Sequence, residues 1–126
     1  MVLRKKITFN VDEKSAKRNL ERGAGIETIL QALKQYAVDH KGDLPAGISA
    51  APVEICSSSV ARTSCRGLAD LSVITRDGQY IGAIPSEPLK TKANGAGYLV
   101  SRDDVTKRLT VSAQFPEEGF TISKTR

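Results

Sequence analysis

The chain has no tryptophan, one histidine, one methionine and two cysteines, and aromatic residues make up only 5% of its 126 positions. Each shortage removes a class of function. Three tyrosines and three phenylalanines, scattered along the sequence, form no stacking platform for the bases of a nucleic acid strand. A transition-metal centre needs several Cys or His side chains at ligand spacing, and a single His with a lone Cys pair does not supply one. Nucleophilic catalysis needs a base held beside the nucleophile. The only imidazole, His40, falls at the end of a helical pattern, where partial positive charge complements the helix dipole. No Gly-x-Ser-x-Gly is present, and "NGAG" (94–97) lacks the Lys-Ser/Thr ending and following helix of a phosphate loop. These gaps point away from an enzyme and imply no cofactor. Long apolar runs are also missing. No window approaches the roughly twenty apolar residues of a membrane span, and "MVLRKKITFN" holds no signal-peptide core.

What is present fits one domain. A chain of this length buries roughly two-thirds of the surface it exposes when unfolded. With few rings available, the core must be built from Ile, Leu, Val and Ala. The net charge of +5 is concentrated in residues 1–22, which carry seven basic side chains (Arg4, Lys5, Lys6, Lys14, Lys17, Arg18 and Arg22) against three acidic ones. Such a segment can meet phosphate on nucleic acid or lipid, although a solvated basic helix start accounts for it as well. Cys56 and Cys65 bracket "CSSSVARTSC", a polar, turn-forming stretch unlike the apolar setting of buried free thiols. That setting favours a disulfide over two free thiols, and with it an oxidising compartment.

Periodicity divides the chain into a helical front and an extended back. Leu20, Ile26, Ile29, Leu30, Leu33, Tyr36 and Ala37 recur at spacings that place them on one helical face. Gly42 and Pro45 supply the stop, so the expectation is a helix over about 11–41, bent or loosened near Gly23 and Gly25. Residues 1–10 read as a non-native or extended N-terminal segment. Residues 42–67 read as loop around the cysteine pair, with "VEI" before Cys56 admissible as a short strand. "LADLSVIT" (68–75) suits a short helix or a strand, and "RDGQ" (76–79) a turn. Alternation in 97–101, 108–114 and 120–123 predicts about three antiparallel strands. The expected fold class is α+β, a long N-terminal helix packed on a small antiparallel sheet spanning 97–123. Asp103 and Asp104, in the connection "RDDVTK", are the only carboxylates placed as calcium candidates, and adjacent acids there are more commonly turn residues.

The order of these pieces resembles a type IV pilin or type II secretion pseudopilin. "KSAKRNLERGAGIETILQALKQYAVDHKGDLP" is similar to the exposed half of that family's N-terminal helix, through Arg18, Leu20, Ile26, Ile29, Leu30, Ala32, Leu33, Tyr36, Gly42 and Pro45. "YIGAIPSEPLKTKANGAGYLV" resembles its Tyr-Ile-x-x-Ile-Pro-x-x-Pro element, through Tyr80, Ile81, Ile84, Pro85 and Pro88, running into Gly95, Gly97 and Tyr98. The cysteine stretch is similar to variable loops that precede this element in some pilin-like proteins. The likeness covers roughly residues 12–120. The family's leader, cleavage site and apolar helix have no counterpart before Val11, so the expectation is a soluble head domain lacking its membrane helix. The resemblance implies a structural subunit of an extracellular or cell-envelope filament. Its partners would be other pilin subunits, met through the N-terminal helix, and it would be membrane-anchored before assembly. The resemblance implies no chemical step. The competing expectation is a stand-alone binding domain that holds nucleic acid or another acidic surface with its basic N-terminal segment.

Overall fold

The structure, a computed structural model, describes residues 12–89 and 94–126. Residues 1–11, which include Arg4, Lys5, Lys6 and the expected helix start at Val11, lie outside the described residues, as do residues 90–93. The elements run α1 (Glu13–Asp39), β1 (Val53–Cys56), a 3-10 turn (Arg62–Cys65), α2 (Ser72–Thr75), a second 3-10 turn (Arg76–Gly78), β2 (Gly95–Arg102), β3 (Leu109–Ala113) and β4 (Ser123–Thr125). The fold class is α+β.

Helix α1 begins where Asp12 caps it, its carboxylate accepting the Lys14 N–H at 3.0 Å. It ends at Asp39 rather than 41, because Lys41 and Gly42 turn to positive φ (58° and 92°). There the Gly42 N–H donates back to the Ala37 carbonyl at 2.8 Å. Between these caps the helix is continuous through Gly23 and Gly25. Gly25 permits close approach, since a Cβ on it would lie 2.5 Å from the Tyr98 hydroxyl oxygen.

The sheet has four antiparallel strands in the order β1-β2-β3-β4, one more than the expected three. The additional strand is β1, inside the stretch read mainly as loop. It pairs Val53 with Val100 and Glu54 with Leu99, then bulges before Cys56. Its outer edge is covered by a parallel bridge between Ile55 and Ala69, in which the Ala69 N–H donates to Glu54 and the Cys56 N–H to Ala69. The Cys56–Cys65 disulfide forms as expected and closes the loop that returns to this edge. Strand β2 starts at Gly95, two residues earlier than expected, and β4 falls at 123–125 rather than 120–123. The later start of β4 follows from the turn before it. Glu118 and Gly119 take positive φ, and the Phe120 N–H donates to the Glu117 carbonyl, so the chain is still turning at Phe120.

One face of the sheet meets α1. In register, Tyr98 faces Ala113 and Val100 faces Val111, and all four are buried with Leu109 against Ile26, Ile29, Leu30 and Leu33. Ile55, Leu71, Ile74 and Ile84 close the core from the other segments. Burying side chains of this kind contributes about 1.5–3 kcal/mol each. Leu20, expected on the same helical face, is 77% exposed. At 100° per residue it sits about a third of a turn away from Ile26.

Gly97 shows how tightly the segments meet. Its φ is +88°, and a Cβ there would lie 2.6 Å from the Glu87 Cβ. Gly97→Ala is expected to lower the free energy of unfolding by about 2–4 kcal/mol, from backbone strain and displacement of Glu87. Gly82→Ala, with nothing near its Cβ, should stay within about 0.5 kcal/mol of the parent. Urea unfolding midpoints at constant slope measure both.

Candidate functional site

The buried stripe of α1 changes character along its length. From Ile26 to Leu33 it is apolar, and one to three turns earlier the same stripe continues through Ser15, Arg18, Asn19 and Arg22. Arg22 is fully buried, and polar groups brought there by two later segments complete the stripe. From the crossover before β2, Glu87, 3% exposed, accepts from Arg22 Nε at 2.5 Å and from an outer guanidinium nitrogen at 3.1 Å. From the turn before β4, Glu117 accepts from Arg18 Nε and from an outer Arg18 nitrogen, both at 2.6 Å. It also accepts the Ser15 hydroxyl at 3.1 Å and pairs with Arg22 at 2.8 Å. Asn19 reads the backbone of the same residue, donating to the Glu117 carbonyl at 2.9 Å and accepting its N–H at 3.1 Å.

The Ile-Pro-x-x-Pro element is the segment that delivers Glu87. Pro85 and Pro88 donate no backbone hydrogen bond. The donor before each proline is used, Ile84 N–H to the Ser58 hydroxyl at 2.9 Å and Glu87 N–H to the Ala96 carbonyl at 2.9 Å. The Leu89 N–H adds a further bond to the Glu87 carboxylate at 2.7 Å. Tyr80 anchors the start of the crossover through its hydroxyl, which donates to Asp39 at 2.7 Å, and through an edge-on contact with Tyr36. Tyr98 is buried beneath the crossover. Burial first, and then the Glu87 charge, push its hydroxyl up to about 12. Tyr36, Tyr80, Ile84, Pro85, Gly97 and Tyr98 are thus joined by contacts to α1, to the crossover or to β2. Pro45 is buried separately, just past the end of the helix.

Around this clamp lies an unpaired apolar surface. Leu20 and Phe120, 77% and 59% exposed, line a shallow groove of about 380 Å³ with Ala16, Asn19 and Ile122. Leu20 was expected inside, and the structure instead puts it here beside the C-terminal turn.

The remaining sequence candidates lead elsewhere. The Asp103 carboxylate accepts the N–H groups of Val105 and Thr106, each at 2.8 Å, and those bonds hold it below its ordinary range. It is a turn cap, and among the described residues no group of three or more His, Cys, Asp or Glu gathers around it or Asp104. His40 stacks on Tyr36 with ring centroids 3.8 Å apart, and its Nδ1 lies 2.8 Å from the Tyr36 carbonyl. Both cysteines are in the disulfide. In the basic segment, Arg18 and Arg22 are spent on Glu117 and Glu87, which leaves Lys14 and Lys17 as its described cations without an ion pair. Among the described residues no helix is long and apolar enough to cross a membrane.

No family model, curated protein or solved structure matches the chain.

The clamp is not among the features expected from sequence, where Arg22 counts as basic surface charge and Glu87 lies unremarked between its two prolines. The signal was available in the spacing, because Arg22 precedes Ile26, Ile29 and Leu33 at helical intervals of four, three and four.

Two expectations follow. Arg22→Met leaves the Glu87 carboxylate buried without its counter-charge and should cost about 3–5 kcal/mol. Adding Glu87→Met should recover part of that loss, as read from urea midpoints in a double-mutant cycle. The second expectation concerns acid. Hydrogen bonding from Arg18, then from Arg22 and Ser15, lowers the Glu117 carboxyl from 4.5 to about 2. A carboxyl lowered on folding stabilises fully above its unfolded value and loses that contribution as pH falls through its folded value. Stability of the parent should therefore drop between about pH 4.5 and 2, and Glu117→Gln should flatten that part of the curve in acid titrations followed by circular dichroism.

Proposed function

We propose that the chain is the head of a pilin-like subunit, which acts by assembling into an extracellular or cell-envelope filament and performs no catalysis. The observation that carries this reading is the double use of α1. One face of the helix is buried on its own sheet, while Leu20, next to Phe120 and Ile122, presents a second apolar surface with no cover among the described residues. A free-standing domain gains nothing from a groove of this kind, whereas a filament subunit needs its long helix to meet a neighbour. Other subunits are the partners in this reading.

The order of elements supports it. A long helix, a disulfide-closed loop, an Ile-Pro-x-x-Pro crossover and an antiparallel sheet follow one another as the pilin resemblance implies. The crossover also has a mechanical role suited to a head carried on a helix. Load applied to α1 would pass through Arg22 to Glu87 and so to β2, and through Arg18 and Asn19 to Glu117 in the turn before β4. The disulfide secures β1, a four-residue edge strand interrupted by a bulge.

Antibody raised against residues 12–126 and used in immunogold electron microscopy of the producing cells tests the proposal. Label along filaments, lost from cells expressing Leu20→Lys/Phe120→Lys while the protein level holds, is the expected result. Label confined to the cytosol, or filaments unaffected by the substitutions, would contradict it.

A further inference from the structure

At the far end of α1 from Leu20, a groove of about 510 Å³ lies between the helix end and the β2–β3 connection. Its walls carry four cations, Lys34 and Lys41 from α1 and its C-terminal turn, Arg102 from the end of β2, and Lys107 from the connection, against the single carboxylate of Asp43. None of the four makes a side-chain hydrogen bond or ion pair among the described residues. Arg102 is the informative one. It follows Tyr98 and Val100 on the helix-facing side of β2, in register with Leu109, where an aliphatic residue would extend the core. Its Nε is shut off from solvent and has no partner. The sealed Nε is out of reach of a groove ligand, so it is the outer guanidinium nitrogens, not sealed and with no bond among the described residues, that are left to meet an anion, and every carboxylate used to neutralise Arg18, Arg22, Lys124 and Arg126 lies elsewhere.

The electrostatics of the helix end do not oppose an anion as strongly as its position suggests. The Tyr36 carbonyl is engaged by His40 Nδ1, and the Ala37 carbonyl accepts from both His40 and Gly42. The last-turn oxygens that would repel negative charge are thus partly occupied. Lys107 is also close enough to Asp103 to stabilise that carboxylate, so the four cations meet two carboxylates, an excess that suits a dianion, and a guanidinium fork matches tetrahedral oxyanions.

We infer that this groove is a binding site for a dianionic oxyanion, a phosphate or sulfate group, gripped by Arg102 and ringed by Lys34, Lys41 and Lys107. The site is independent of the filament reading, since it shares no residue with the Leu20 groove. The phosphate is either free or part of a polymer backbone, and the test separates the two.

The test titrates the 15N-labelled chain with inorganic phosphate, and separately with sulfate, at ionic strength held constant with sodium chloride. Saturable shifts are expected at the amides of 41–44 and 102–109. Arg102→Gln should weaken binding about tenfold or more, the loss of one charge-assisted hydrogen bond. Lys34→Gln, at an exposed helix position with no structural role, should weaken it severalfold, and Lys17→Gln should leave it unchanged. A single-stranded oligonucleotide that shifts the same amides at lower concentration than phosphate assigns the group to a polymer. Phosphate binding without oligonucleotide binding assigns a free anion, and either result supports the site. Shifts that chloride reproduces, shifts that never saturate, or shifts equal in the parent, Arg102→Gln and Lys34→Gln would overturn it.

Discussion

A guanidinium with no exposed surface, bonded at 2.5 Å to a carboxylate that is itself 3% exposed, is the contact on which the arrangement of segments depends. Each charge alone would be expensive in that position. Together they are tolerable only when α1, the proline crossover and β2 are in register, because each segment contributes a necessary part. Helix α1 supplies Arg22, the crossover supplies Glu87, and Gly97 of β2 leaves the space into which Glu87 fits. Hydrophobic burial alone would accept several placements of a short sheet on a helix. A buried pair with every partner named accepts far fewer, and here it acts as the register pin.

From that pin the rest of the molecule divides into two ends. Toward the N-terminus of α1, Arg18 and Asn19 extend the polar seam to Glu117, which fixes the turn before β4 and so sets Phe120 and Ile122 beside Leu20. Toward the C-terminus, the apolar stripe through Ile26, Ile29 and Leu33 packs on Val100, Val111 and Leu109, and ends where Arg102 replaces an aliphatic side chain. The apolar groove and the cationic groove are therefore both consequences of where the helix leaves the sheet. One exposes carbon that a neighbour can bury. The other gathers charge that an anion can balance.

Much of this was legible in the sequence, and the parts that were not share a physical cause. The helix, its glycine stop, the disulfide and the alternating strands β2 and β3 follow from local patterns, and each stands within a few residues of expectation. Strand β1 was weak because four residues ending in a bulge carry almost no alternation, and the pairing with β2 that makes them a strand lies some forty residues away. Strand β4 was misplaced because alternation at Phe120 and Ile122 cannot reveal that Glu118 and Gly119 are still turning. Leu20 is grouped with the buried face on the helical spacing and Arg22 with the solvated surface on its charge, and the structure reverses both. The six-residue step from Leu20 to Ile26 breaks the three-and-four pattern, whereas the four-residue step from Arg22 to Ile26 keeps it.

The central claim is that the crossover is part of the cooperative core and not a loop laid over it. Native-state hydrogen exchange of the Glu87 amide, which donates to the Ala96 carbonyl, tests this most directly. The account predicts that this amide exchanges only through global unfolding, with the same free energy as the amides of Ile29 and Val100. Exchange orders of magnitude faster at Glu87, while α1 and β2 stay protected, would contradict it.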